Sequence, residues 1–214
     1  MRLFPAVVFL VSLFAPIVQA ETAASRADAP FDFYVMRIVW TPSLCADSAN
    51  ADPRCEASVG GFALDGLMPS FEAAQPSFCL QGSTAPSRRY ADEMSDIMHS
   101  GDWAWYQWKK HGSCSGLAGE EYFDAARRAY ASIVSPPSLE TLDREVEVPL
   151  QAITDTMLQI NPDLPVDGIS VTCQNGRMHE MVICFDPNLH PRACAPAIRR
   201  GCQQDMVNIT PIVH

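Results

Sequence analysis

The sequence predicts an α+β domain, and three observations carry that prediction. Residues 31–40 (FDFYVMRIVW) form an aromatic and β-branched run near the start of the folded part. Two further β-type runs near the other end, 169–173 and 178–185, flank Asn175-Gly176, a strong hairpin signal. Between these ends, apolar residues recur at helical spacing. Strands at both ends with helices between them suggest α+β. The chain has 214 residues, of which 48% are hydrophobic and 19% charged, enough apolar mass for one domain with a real core.

In chain order, residues 1–20 read as a secretory signal peptide. Arg2 gives a positive start, 7–13 is an apolar run, and Val18-Gln19-Ala20 places small residues at −3 and −1 of a cut after Ala20. An uncleaved anchor is the alternative, but the run is well short of the roughly 20 residues that span a bilayer. Residues 21–30 are small and polar and read as a flexible leader; 31–214 are the folded domain. The strand at 31–40 should end at Thr41-Pro42. Residues 85–99 place Tyr90, Met94, Ile97 and Met98 on one helical face, with Ser87 as a candidate N-cap. Asp102 is a candidate cap for a helix running to about Lys110. Helices are also expected at 120–133 and at 148–160, the latter with Pro149 near its start and a stop at Asn161-Pro162.

The eight cysteines, Cys45, Cys55, Cys79, Cys114, Cys173, Cys184, Cys194 and Cys202, all follow the signal. An even count in an exported chain implies four disulfides, and spacing alone leaves their pairing open. No CxxC pair occurs and no histidine stands at zinc-ligand spacing from the cysteines, so no metal or other cofactor is expected. The formal charge is −10, from 15 basic and 25 acidic residues. A general nucleic-acid binder is usually basic, so this chain offers no general positive field, and any nucleotide must be held in a local pocket. No segment after the signal is apolar enough to span a membrane, and nothing in the sequence identifies a protein partner.

The densest chemistry lies at 103–114 (WAWYQWKKHGSC). Lys110 and His111 before Gly112 place a cation beside an acid–base group, a pair able to hold a phosphate and move a proton. For a bare Lys-His dipeptide the bland alternative, a solvated lysine and a histidine satisfied in the core, is favoured.

Wider segments change that balance, because in order and spacing they resemble the ribonuclease T2 family. Residues 31–45 (FDFYVMRIVWTPSLC) resemble its first strand and the Trp-x-Pro-x-x-Cys that follows. Residues 62–69 (FALDGLMP) resemble its first active-site segment, F-x-[IL]-H-G-L-W-P, and 107–117 (QWKKHGSCSGL) resemble its second, H-E-W-x-K-H-G-T-C. Asn161-Pro162, 171–173 and 180–194 (EMVICFDPNLHPRAC) resemble its C-terminal half. The resemblance implies a ribonuclease T2-like α+β fold with a central antiparallel sheet, several helices and four disulfides. The bridges it implies are Cys79–Cys114, Cys173–Cys202 and Cys184–Cys194, which leaves Cys45 with Cys55.

Family members are endoribonucleases in which the ribose 2′-hydroxyl attacks the adjacent phosphate, giving a 2′,3′-cyclic phosphate. Two histidines form the acid–base pair, and a further histidine, a glutamate and a lysine serve the phosphate. Carried over, the first histidine falls on Asp65, the phosphate histidine on Tyr106 and the glutamate on Gln107, while the lysine and the second acid–base histidine persist as Lys110 and His111. Met68 stands where the family has a cleft tryptophan. Three of five catalytic positions are therefore altered. An ionised Asp65 would repel the scissile phosphate, Tyr106 lacks an imidazolium's charge, and Gln107 cannot titrate. Loss of one acid–base group typically costs about 10²–10⁴ in rate.

Three functional hypotheses follow: a pseudo-ribonuclease whose cleft still holds RNA or a nucleotide, which we favour; a slow, acid-shifted endoribonuclease with Asp65 as base and His111 as acid; or a disulfide-rich protein-interaction module. Trp103, Trp105, Tyr106 and Trp108 are candidates for base stacking, with Trp105 and Met68 named as substrate-binding and Trp108 as core. His99, His179 and His190 match no catalytic position. The chain is expected in the periplasm or secreted.

Overall fold

A computed structural model describes residues 30–48, 52–55 and 60–212. The signal segment 1–20 and nearly all of the leader 21–30 lie outside the described residues. Strand β1 (Phe33–Trp40) runs straight into helix α1 (Thr41–Ser48), so Thr41-Pro42 ends the strand by beginning a helix. Strand β2 (Phe62–Ser70) pairs antiparallel with β1, and a run of helices follows: α2 (Arg88–Glu93), α3 (Ser95–Met98), α4 (Gly101–Lys110) and α5 (Gly119–Ala131). A short α6 (Pro137–Glu140) leads to β3 (Val146–Pro149), α7 (Leu150–Ile160), the hairpin β4 (Ile169–Gln174) and β5 (Arg177–Phe185), and finally β6 (Met206–Ile209).

The sheet is an antiparallel β2-β1-β5-β4 block. It is extended by the antiparallel β3–β6 pair, which joins β5 in parallel at Arg177 and Asn208. Helices cover one face. There Tyr34, Met36, Ile38 and Trp40 of β1 and Leu64 and Leu67 of β2 pack with Met94, Met98, Tyr122 and Phe123 in the main core. On the other face Phe33 and Val35 join Met68, Val182 and Cys184 in a smaller cluster closed by Cys194 and Ala195. The disulfides are Cys45–Cys55, Cys79–Cys114, Cys173–Cys202 and Cys184–Cys194, the same four pairs that the resemblance implies.

Several local expectations hold and several shift. The β4–β5 turn has Asn175 at φ 52° and Gly176 at φ 79°, the two left-handed positions that such a two-residue turn demands. Ser87 caps α2, accepting from the Tyr90 N–H at 3.2 Å. The helix expected at 85–99 breaks at Met94 into two pieces. Asp102 is not the cap of α4: Ser100, extended at φ −162°, accepts from the Trp103 N–H instead. Pro149 sits outside α7 as its N-cap, because 146–149 are taken into the sheet as β3.

Candidate active site

The site is built from two pieces of backbone, a bulge in β2 and the C-terminal end of α4. Along the β1–β2 ladder Arg37 faces Gly66 and Ile38 faces Leu64, so Asp65 is the extra residue of a β-bulge with no cross-strand partner. Such a bulge turns one side chain out of the regular alternation. The turn is held by Trp103, whose indole N–H donates to the Asp65 carbonyl at 3.0 Å, and by Tyr122, whose hydroxyl donates to the Leu67 carbonyl at 2.9 Å. At Gly66 the bare backbone lets the Gln107 amide pack close, since a Cβ there would lie 2.9 Å from the Gln107 Oε1.

From α4, Trp103, Gln107 and Lys110 recur at i, i+4 and i+7 and therefore share one face. With His111, the residue that ends the helix, they form one wall of a cleft of about 460 Å³. The remainder of the wall is Arg37, Arg54, Asp65, Met68, Gln75, Ser77 and Glu180. The Cys79–Cys114 bridge ties the loop bearing Gln75 and Ser77 to the turn after His111, and the Phe78 N–H donates to the Lys110 carbonyl at 2.7 Å. Gly112 makes that turn possible, because a Cβ there would come within 2.7 Å of the Tyr122 ring.

Of the residues singled out from sequence, Asp65, Met68, Gln107, Lys110 and His111 do converge on the cleft. Tyr106 and Trp105 do not, and helical geometry is the reason. Tyr106, one residue from inward-facing Gln107, is turned to the rim. It is 36% exposed there, between Trp103 at 5.4 Å and Phe78 at 6.5 Å between ring centroids. Trp105 faces away from the cleft, packed on Trp108 and under the Arg88 guanidinium, and is not among the residues that line it. Trp103 is the tryptophan that lines it. Trp108 is buried, as expected of a core residue.

Sequence reasoning missed Arg54. The Pro53–Cys55 turn, fastened to α1 by the Cys45–Cys55 bridge, pushes this side chain into the cleft, where it is 4% exposed. Its Nη1 donates to Asp65 at 2.6 Å, its Nε and Nη2 grip Asp52 at 2.9 and 2.8 Å, and its guanidinium lies 4.0 Å over the Trp103 ring. The available signal was its position next to Cys55 in Asp-Pro-Arg-Cys, with Cys45 five residues beyond the first strand.

Electrostatics set what the groups can do. Burial pushes the Asp65 carboxyl up from its ordinary value, and the adjacent Arg54 guanidinium opposes that push. Burial, with the neighbouring Lys110 charge, brings His111 down to about 4, so its imidazole is neutral at neutral pH. The His111 Nδ1 and Gln107 Oε1 are buried in the wall with no hydrogen-bond partner among the described residues. Arg37 is paired with Glu180 at 3.0 Å. Lys110 has no carboxylate partner among the described residues; its nearest aromatic is Tyr106, 5.6 Å from Nζ to ring centroid. The cleft wall thus carries three cations and two carboxylates on a chain whose formal charge is −10.

Comparison with known proteins bears on the fold and the family. The profile of the "Ribonuclease T2 family" matches residues 31–194. A "Ribonuclease" of Aeromonas hydrophila is 31% identical over 120 residues, which is 56% of this chain and 54% of that protein, so the match spans about half of that relative's length. Among solved structures, the "RNase-related protein from Calystegia sepium" superposes with a TM-score of 0.67 at 19% identity, covering 84% of this chain and 97% of that one. RNase NT in complex with 5′-AMP superposes with a TM-score of 0.59 at 19% identity, covering 83% and 97%. At these identities the two structures show a shared fold.

Proposed function

The chain belongs to the ribonuclease T2 family, and from that premise we propose that it is an exported pseudo-ribonuclease whose cleft holds a nucleotide or RNA phosphate without cleaving it efficiently. The observation that carries this is the state of Asp65. It occupies the position of an acid–base histidine, and its carboxyl is buried against Arg54 at 2.6 Å rather than free to take a proton from a ribose hydroxyl. Lys110, with no carboxylate partner among the described residues, supplies positive charge for a phosphate, and the neutral His111 imidazole and the Gln107 amide line the same wall. Because RNase NT, of the same fold, was solved with 5′-AMP, that nucleotide is the first ligand to try.

The test is RNA cleavage by the purified, oxidised protein from pH 4 to 8, beside the variant Asp65→His/Tyr106→His/Gln107→Glu made in an Arg54→Gln background, so that the new imidazole does not face the guanidinium. We expect the variant to cleave at least about 10²-fold faster than the parent, the low end of what one positioned acid–base group contributes. A parent that already cleaves as fast as the variant would overturn the pseudo-enzyme reading.

A further inference from the structure

We propose that Arg54 is the positioning residue that lets a phosphate enter a cleft carrying an acid at its centre: it consumes the charge of Asp65, and it is delivered for that purpose by the Cys45–Cys55 clip. This rests on the reading that the cleft binds a nucleotide, and it names what makes that possible.

The physical problem is plain. Asp65 replaces an imidazole, is turned into the cleft by the β2 bulge, and shares the wall with the place a phosphate must occupy. Two anions a few ångströms apart in a poorly solvated site repel by several kcal/mol at an effective dielectric near 20. Arg37 is unavailable to offset this, being engaged by Glu180 at 3.0 Å, and Lys110 is needed for the ligand. Arg54 is the remaining cation of the wall, and its geometry is that of a fixed counter-charge. Asp52 holds two of its nitrogens, the Trp103 ring carries its flat face, and its Nη1 is left directed at Asp65. A guanidinium clamped on three sides cannot swing away to follow the ligand, so its effect on the ligand runs through Asp65.

The test is calorimetric titration of 5′-AMP into the wild-type protein and into Arg54→Gln, Asp65→Asn, Arg54→Gln/Asp65→Asn and Arg54→Lys, with thermal unfolding of each as a check on folding. Arg54→Gln should weaken binding at least about tenfold. The double variant should return to within about threefold of wild type, because the acid to be screened is gone. Asp65→Asn alone should bind more tightly than wild type, and Arg54→Lys should keep most of the affinity, having kept the charge. A loss that Asp65→Asn does not rescue would overturn the inference, since Arg54 would then act on the ligand by itself. If Arg54→Gln fails to fold, Asp65→Asn and Arg54→Lys decide: an Asp65→Asn no tighter than wild type, or a folded Arg54→Lys that has lost binding, overturns it. Wild-type protein that does not bind 5′-AMP overturns the nucleotide reading and this inference with it. Wild-type binding left unchanged in Arg54→Gln overturns this inference alone.

Discussion

Two disulfide clips of equal span make an instructive pair. Cys45–Cys55 and Cys184–Cys194 each close a loop of sequence separation 10, so chain entropy assigns them similar stabilisation, about 3 kcal/mol each. Each carries an arginine one or two residues before its second cysteine, and each arginine lies over an aromatic ring and pairs with a carboxylate. Arg54 lies 4.0 Å over Trp103 and 2.6 Å from Asp65; Arg192 lies 4.7 Å over Phe33 and 2.8 Å from Glu72. The difference is solvent. The side chains of the first pair are 5% and 12% exposed, those of the second 32% and 54%. The same contacts therefore do different work. Water screens the Arg192 pair, which fastens a loop over the smaller apolar cluster, whereas the Arg54 pair lies in the cleft wall with little water to screen it.

Three measurements break or sharpen that contrast. The largest effect belongs to Arg54→Gln, which strands Asp65 in a buried place without its counter-charge. Urea unfolding at pH 7 should show a loss of about 3–5 kcal/mol. A loss below about 1 kcal/mol would mean that water reaches the first pair as freely as the second.

An intermediate effect comes from His111 on the cleft side. Its folded pKa, about 4, lies below the ordinary 6.5, so the unfolded chain binds the proton first as pH falls. The stability contributed by the neutral imidazole is complete above about pH 6.5 and is lost as pH drops toward 4. Urea midpoints between pH 7 and 4 should record a decline of about 1–3 kcal/mol from this residue, and His111→Asn should remove that part of the slope. An unchanged slope in the variant would assign the acid sensitivity elsewhere.

The smallest effect is expected for Arg192→Gln. Thermal unfolding should shift by the equivalent of less than about 1 kcal/mol, the usual worth of an exposed pair.

The contrast also explains how much of the molecule was legible in its sequence. Where local chemistry dictates conformation, as at Asn175-Gly176 or the Ser87 cap, the element was readable. Ser100 displaced Asp102 as the α4 cap because both residues are competent and only the tertiary position of the chain end chooses between them. Strand β2 shows no alternation because it is buried throughout, and a bulge interrupts its register at Asp65. Strands β3 and β6 are four residues each, too short for a periodic signal. In the site, the family segments located Asp65, Gln107, Lys110 and His111. They could not locate Arg54, because its place depends on a bridge between two loops rather than on any pattern around it. Nor could they rank the α4 aromatics: one residue of helical rotation separates rim from wall, and the fold fixes that rotation.

The bulge in β2 has a bearing on how such a protein changes over time. A residue paired across a ladder is constrained by its neighbour, and its replacement is felt by two strands. Asp65 has no such neighbour. The ladder thus sets no cross-strand requirement on the side chain there; what restricts its replacement is Arg54, held against it at 2.6 Å.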